Sequence, residues 1–476
     1  MLYQIKSPFI FTVFGASGDL AQLKIFPTLY ELALQKRFPK NYYIVGYSRT
    51  KYTQTEFRDI FKKSVEKKFK ENTNKKVLED IVKHVHYFAG QYDNLADFKA
   101  FRTFLEKKTK QPAMEHIAYF SVPPTVFQPI IENLAKARKS KRDDLRLVIE
   151  KPFGTDKKSA EDLYHFISQY FKEKQVYLLD HYLGKSSVQS ILHLRRSNRI
   201  LSHMMKGTEI ANIQITAFEN IGVGERIGYF EQVGTVRDMI QSHLLQILAL
   251  VSMDIPSELD AESVQREKHA ILSAVDCPCD PQNIVIGQYD HYKNKKGVNT
   301  NSHTETFAAV RLFIDHEDWY QVPIYIRTGK KLHEKHTYVV IELKKFPFQP
   351  KDEEPNRLII ELQPEEKIHI TLINQQDDVN QKQEITTSDS IACSIYGCLP
   401  DHGTLLLEII KGERLHFLSF AEIIAAWNVV DEITVLSKNK KIKLHHYAQN
   451  SMGPTAQNKL TNMDNFKWYD IHTKSK

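Results

Sequence analysis

The chain is expected to pair a doubly wound, Rossmann-like α/β domain with a larger α+β domain, and three patterns predict this. Short, unbroken apolar runs alternate with helical stretches over residues 1–183. A glycine loop directly follows the first of those runs. Beyond it, residues 184–476 carry longer runs in which apolar and polar positions alternate. Parallel strands buried on both faces read as continuous apolar runs, whereas half-covered antiparallel strands alternate.

Phe9–Phe14 is the first buried strand, followed by the loop and a helix over residues 19–37. Residues 42–45, 116–122, 145–149 and 176–179 supply further short strands, with helical segments between them. After residue 183 the strand-like runs are 210–218, 307–314, 338–343, 357–362 and 367–373. Helical stretches fall at 186–204, 235–252 and 400–426. This predicts a second domain built on a large, mostly antiparallel sheet.

With 476 residues, two to three domains are expected. The chain is 42% hydrophobic and 26% charged, an ordinary globular balance that leaves room for large cores without disulfides. The four cysteines, Cys277, Cys279, Cys393 and Cys398, include no second pair with zinc-site spacing. They read as reduced thiols, and no metal is expected. The longest strongly apolar stretch, residues 244–253, falls short of the roughly 20 residues of a membrane span. The apolar start is too short for a signal-peptide core, so a cytoplasmic location is expected.

The net charge of +7 suits anionic small molecules without arguing for nucleic acid. In the lysine-rich stretch 51–76, Phe57, Phe61, Val65 and Phe69 recur every four residues. That is the apolar stripe of an amphipathic helix whose wet face carries the lysines.

Three segments carry chemistry. Gly15-Ala16-Ser17-Gly18-Asp19-Leu20-Ala21 lies between a strand and a helix, where backbone N–H groups and the helix dipole favour a pyrophosphate. A glycine turn capped by Asp19 is the plainer alternative. The second strand ends Val45-Gly46-Tyr47-Ser48-Arg49. It offers a guanidinium where an NAD site places an acid, which fits the 2′-phosphate of NADP.

The second segment is the pair of strand ends Glu150-Lys151-Pro152-Phe153-Gly154 and Asp180-His181-Tyr182-Leu183-Gly184-Lys185. Charged groups there stand where parallel sheets bind ligands. His181, Tyr182 and Lys185 form a donor set for a phosphate monoester. Asp180 can serve instead to orient an imidazole from elsewhere.

In the third segment, Gly234 to Ile247, Thr235 reads as a helix N-cap. Asp238 suits either the helix dipole or a substrate. His243 sits on a strongly apolar helix, one turn beyond Met239, and is open to two readings: a hydrogen-bonded core residue or a base.

Taken together, these segments resemble the glucose-6-phosphate dehydrogenase family. The likeness runs in order through Gly15–Ala21, Gly46-Tyr47-Ser48-Arg49, Pro123-Pro124-Thr125, Glu150–Gly154, Asp180–Lys185 and Phe218-Glu219. It continues through Gly228-Tyr229-Phe230, Arg237-Asp238 with His243, Val322-Pro323, Arg327-Thr328-Gly329-Lys330 and Gly453-Pro454-Thr455.

The resemblance implies oxidation of glucose 6-phosphate at C1, with NADP as hydride acceptor, as the first step of the oxidative pentose phosphate pathway. It implies His243 as base and Asp180 as its acidic partner. His181, Tyr182 and Lys185 are implied for the phosphate, and Glu219, Asp238, Lys330, Lys335 and Gln363 for the sugar region. Lys151 is implied to be shared by substrate and coenzyme. Gly15, Ala16, Ser17, Gly18, Asp19, Leu20, Lys24, Arg49, Tyr92, Asp93 and Tyr119 are implied for the coenzyme. It also implies a cis Lys151–Pro152 bond and a homodimer or homotetramer.

The chain departs from the family pattern at Leu178-Leu179, at Asn220-Ile221 after Glu219, and at Asp401-His402-Gly403-Thr404. Glu361 stands where animal members carry an arginine for a second, structural NADP, so no second site is expected. Two alternatives remain: an enzyme of the same fold with another hexose 6-phosphate or with NAD, and a non-catalytic sensor of either ligand.

Overall fold

The computed structural model describes residues 3–109, 114–138, 145–276, 280–350, 353–376, 379–387, 399, 401–439 and 441–471. All four cysteines lie outside those residues. The chain divides into two compact units. The first comprises Met1–Gly154, Lys158–Lys185 and Cys393–Phe420; the second comprises Thr155–Lys157, Ser186–Ala392 and Ala421–Lys476.

The first unit holds six parallel strands: β1 (Phe9–Phe14), β2 (Tyr42–Ser48), β3 (Val85–Ala89), β4 (Glu115–Phe120), β5 (Leu145–Glu150) and β6 (Val176–Leu179). Their order is β3-β2-β1-β4-β5-β6. The order reverses between β1 and β4, and the crevice at the carboxyl ends there is the expected ligand position. Phe11, Val13 and Phe14 are fully buried because helices cover both faces. The helix Gln54–Phe69 buries Phe57, Phe61 and Val65, and a capping box between Thr53 and Glu56 starts it.

The expected single helix at 400–426 is instead two helices. Asp401–Lys411 ends before Gly412, and Phe420–Lys438 follows. The turn between them lays Leu418 against β6, its N–H donating to Leu178 O at 3.1 Å. Leu405, Leu406, Leu407, Ile409 and Ile410 of the first helix are buried in the first unit's core. A segment distant in sequence therefore completes the Rossmann-like core.

The second unit is built on a nine-stranded sheet of β7 (Ile210–Phe218), β8 (Ile284–Tyr289), β9 (Phe307–Leu312), β10 (Ile324–Gly329), β11 (His336–Leu343), β12 (Arg357–Gln363), β13 (Lys367–Gln376), β14 (Val379–Thr386) and β15 (Leu444–Tyr447). The order is β14-β13-β12-β11-β7-β10-β9-β8-β15. Only the β7–β10 and β8–β15 pairs are parallel, so the sheet is mixed and mostly antiparallel. Residues 236–252 form a helix with nearly every side chain buried; its second half is almost wholly apolar, and its first half buries the polar Asp238, Gln241, Ser242 and His243. Among the described residues no helix is long and apolar enough to cross a membrane.

Candidate active site

In the first unit, β1 runs into the glycine loop. Gly15 has φ +83°, and a Cβ there would lie 2.1 Å from Ser121 O. Only glycine permits both the left-handed turn and the close approach of β4's end. Gly15 N–H donates to Tyr47 O at 2.9 Å, and Gly18 N–H donates to Gly15 O at 2.9 Å. The loop, buried at Gly15 and Ala16 and half-buried at Ser17 and Gly18, then opens onto a helix whose first turns include the wide turn Ala21–Ile25. Asp19 and Lys24 are exposed on that helix, while Ala16 is buried.

Arg49, just past β2, is exposed, and its guanidinium carbon lies 5.6 Å from the centre of the Tyr92 ring. Burial raises the Tyr92 pKa, while the Arg49 charge and the Gly15 backbone act against that rise. The loop, Arg49 and Tyr92 therefore converge; Asp93, next in sequence, is exposed. An anion-favouring loop with a guanidinium at the end of the neighbouring strand fits a dinucleotide carrying a 2′-phosphate.

Tyr119 is fully buried on β4. Its hydroxyl donates to Glu150 at the end of β5, and His402 Nε2 lies 3.3 Å from both the Tyr119 hydroxyl and the carboxylate. Lys151 follows Glu150 through a strand end that turns at a cis Lys151–Pro152 bond.

After β6 the chain makes three successive tight turns. Leu183, Gly184 and Lys185 N–H groups donate to the carbonyls of Asp180, His181 and Tyr182 at 3.1, 3.3 and 3.1 Å. The wholly buried Asp180 carboxylate accepts from Tyr182 N–H at 2.9 Å. The His181 and Tyr182 rings meet edge-to-face at 5.4 Å. Lys185 Nζ stands 3.5 Å from the centre of the Tyr182 ring. An imidazole, a phenol and an ammonium are thus held close together on this turn, and together they can donate to a phosphate monoester.

In the second unit, Lys330 Nζ lies 2.5 Å from Glu219 Oε2 and 3.4 Å from Asp238 Oδ2. Glu219 follows β7 and Lys330 follows β10. The parallel pairing of those strands, with Phe218 opposite Gly329, places both at the same sheet end. Asp238 and His243 belong to Val236–Leu244, a π-helical segment. Five residues apart on an α-helix would point to different sides. An i→i+5 turn brings them nearer one face, and such turns recur at functional sites. His243 is 1% exposed and Asp238 9% exposed.

The expected N-cap at Thr235 is a correction. Thr235 is itself helical, with φ −70°, and makes no cap bond. The cap is Glu305, whose carboxylate accepts from Val236 N–H at 3.0 Å, while Glu305 O accepts from Thr235 N–H at 3.1 Å. Gly234 has φ +69°, and a Cβ on it would sit 2.3 Å from the Glu305 carboxylate. Burial raises the Glu305 pKa, against the pull of the Val236 amide and the Arg237 charge.

The Lys330 trio does not include Lys335 or Gln363. Lys335 is exposed between β10 and β11, and Gln363 closes β12 opposite Thr337. Sequence reasoning gave no role to Glu150 or His402 and passed over Glu305. Their partners lie tens to hundreds of residues away, so no local spacing reports them.

Two family models match the chain: the glucose-6-phosphate dehydrogenase NAD binding domain over residues 12–190, and the glucose-6-phosphate dehydrogenase C-terminal domain over residues 192–469. A Caenorhabditis elegans glucose-6-phosphate 1-dehydrogenase is 34% identical, covering 96% of this chain and 91% of its own. The cytoplasmic glucose-6-phosphate 1-dehydrogenase 5 of Arabidopsis thaliana is also 34% identical, covering 94% of this chain and 90% of its own. The crystal structure of the Mycobacterium avium glucose-6-phosphate 1-dehydrogenase superposes with a TM-score of 0.86 at 30% identity, over 97% of this chain and 99% of that one. A glucose-6-phosphate dehydrogenase solved with its substrate glucose 6-phosphate superposes at 0.90 and 28% identity, over 99% of this chain and 100% of that one. With both halves matched and relatives alike over nearly their full length, this chain belongs to the glucose-6-phosphate dehydrogenase family.

Proposed function

We propose that the chain oxidises glucose 6-phosphate at C1 to 6-phospho-glucono-1,5-lactone, the first step of the oxidative pentose phosphate pathway, with His243 as the base. The supporting observation is the convergence of Lys330 on Glu219 and Asp238 in a chain of this family. One ammonium between two carboxylates offers a donor and several acceptors to neighbouring sugar hydroxyls.

His243 takes the proton of the C1 hydroxyl, and Asp180 stabilises the imidazolium that forms. His181, Tyr182 and Lys185 hold the phosphate, and their binding energy positions C1. Lys335 and Gln363 extend the sugar-binding surface. The loop Gly15–Leu20, with Lys24, Arg49, Tyr92, Asp93 and Tyr119, binds the coenzyme, and Lys151 serves both ligands. Bound NADP supplies the acceptor for the C1 hydride. The C1 carbon loses a hydride and its hydroxyl a proton, so the products are the lactone, NADPH and one proton.

Residues 1–183, with the helix Asp401–Lys411 packed into their core, act as the coenzyme domain, and the remainder of 184–476 acts as the substrate and assembly domain. We place the enzyme in the cytoplasm as a homodimer or homotetramer. The relatives include one named cytoplasmic and others named chloroplastic, and fractionation decides between them. Light scattering on the purified protein gives the assembly.

The activity is tested by absorbance at 340 nm with glucose 6-phosphate or plain glucose, and NADP or NAD. The reading requires a rise that depends on the phosphate and is faster with NADP. No rise in folded protein would overturn it.

A further inference from the structure

We propose that His402 is a positioning residue for the coenzyme half of the site. It acts through Glu150 and Tyr119, and the proposal rests on the coenzyme reading above.

His402 is the second residue of the helix Asp401–Lys411, more than two hundred residues downstream of the strands it touches. Its Nε2 lies 3.3 Å from Glu150 Oε1 and 3.3 Å from the Tyr119 hydroxyl, and that hydroxyl donates to the same carboxylate oxygen. Burial alone raises a carboxyl pKa. Here the His402 and Tyr119 hydrogen bonds and the Lys24 charge leave Glu150 below its ordinary value. The result is an ionised carboxylate fixed where β5 ends, one residue before Lys151. It ties the ends of β4 and β5 beside the switch point of the sheet.

The attachment of the helix does not depend on this contact. Leu405, Leu406, Leu407, Ile409 and Ile410 are buried in the core of the first unit. Arg146 donates to the Ile409 and Ile410 carbonyls at 2.8 Å each. A histidine that the helix does not need for anchoring, directed at the residue preceding Lys151, is placed to set the Lys151 and Tyr119 side chains.

The test compares wild type, His402→Ala and His402→Gln by NADPH fluorescence titration, steady-state KM for each substrate, and thermal melting. Loss of a hydrogen bond to a charged group predicts that His402→Ala weakens NADPH binding about tenfold. KM for NADP should rise in step, while KM for glucose 6-phosphate stays within about twofold. His402→Gln, which keeps an N–H donor, should recover most of the loss. Unchanged NADPH affinity in His402→Ala overturns the proposal. So does equal weakening for both ligands with a lowered melting temperature, which marks a purely structural tie. Wild-type protein that binds no NADPH would overturn the coenzyme reading, and this inference with it.

Discussion

Lys330 Nζ stands 2.5 Å from Glu219 Oε2 and 3.4 Å from Asp238 Oδ2, tying a strand end to the helix that carries His243. The parallel pairing of β7 and β10 sets one contact, and the wide helical turn after Gly234 sets the other. Removing the ammonium leaves two carboxylates facing each other without their shared donor. Lys330→Met should lower kcat/KM for glucose 6-phosphate about 10–100-fold and leave KM for NADP within about twofold. Steady-state kinetics with each substrate varied in turn checks this.

Arg49 is exposed and packs only loosely on Tyr92, so its contribution should come from the coenzyme and not from the fold. Arg49→Ala should lower kcat/KM for NADP about 10–100-fold and leave the NAD reaction nearly unchanged. Its melting temperature should match wild type. An equal loss with both coenzymes would show that Arg49 does not read the 2′-phosphate.

Glu305 caps the helix of Asp238 and His243, and Gly234 leaves room for it. Glu305→Ala should cost about 1–2 kcal/mol, the scale of a lost N-cap, and lower the melting temperature by a few degrees. Glu305→Gln keeps an acceptor oxygen and should lose less. Calorimetry on the two variants separates the cap from simple bulk.

The large sheet carries a pH-dependent ladder. His336 Nε2 lies 2.8 Å from Glu361, whose other oxygen lies 3.2 Å from His369 Nε2; His336 Nδ1 lies 3.2 Å from Glu334. Burial opposes the charged His336 ring, yet the Glu361 and Glu334 hydrogen bonds leave its pKa raised. Burial likewise opposes the Glu361 carboxylate, yet His336 and His369 hold it down to about 2.

A raised histidine stabilises fully below its unfolded value of about 6.5, and that stabilisation is lost as pH rises through the folded value. A depressed glutamate stabilises above about 4.3 and loses that as pH falls towards its folded value. Thermal stability from this ladder should therefore peak at roughly pH 4.5–6.5 and fall on both sides. In melting curves across pH, His336→Gln should flatten the alkaline limb.

Much of the fold is legible because local pattern and global role agree. The unbroken run Phe9–Phe14 is buried on both faces, and Phe57, Phe61 and Val65 mark the inward stripe of their helix. The strand Val85–Ala89 escaped notice because its burial alternates at the sheet's edge. The helix break at Gly412 also escaped, because apolar residues continue on either side while the chain passes from one unit to the other.

In the site, Asp180 to Lys185 is legible because all its donors lie on one turn. Glu305 and His402 are not, because each acts on residues 69 or more positions away. The N-cap assigned to Thr235 failed because Thr235 is itself helical, and a buried carboxylate from another segment caps the helix by accepting from the Val236 amide.

The central claim is that His243 removes the C1 proton, and His243→Asn tests it most directly when turnover and glucose 6-phosphate binding are measured on the same sample. The predicted result is a fall in kcat of about 10²–10⁴-fold with substrate binding retained. Near-normal turnover in that variant would contradict the account.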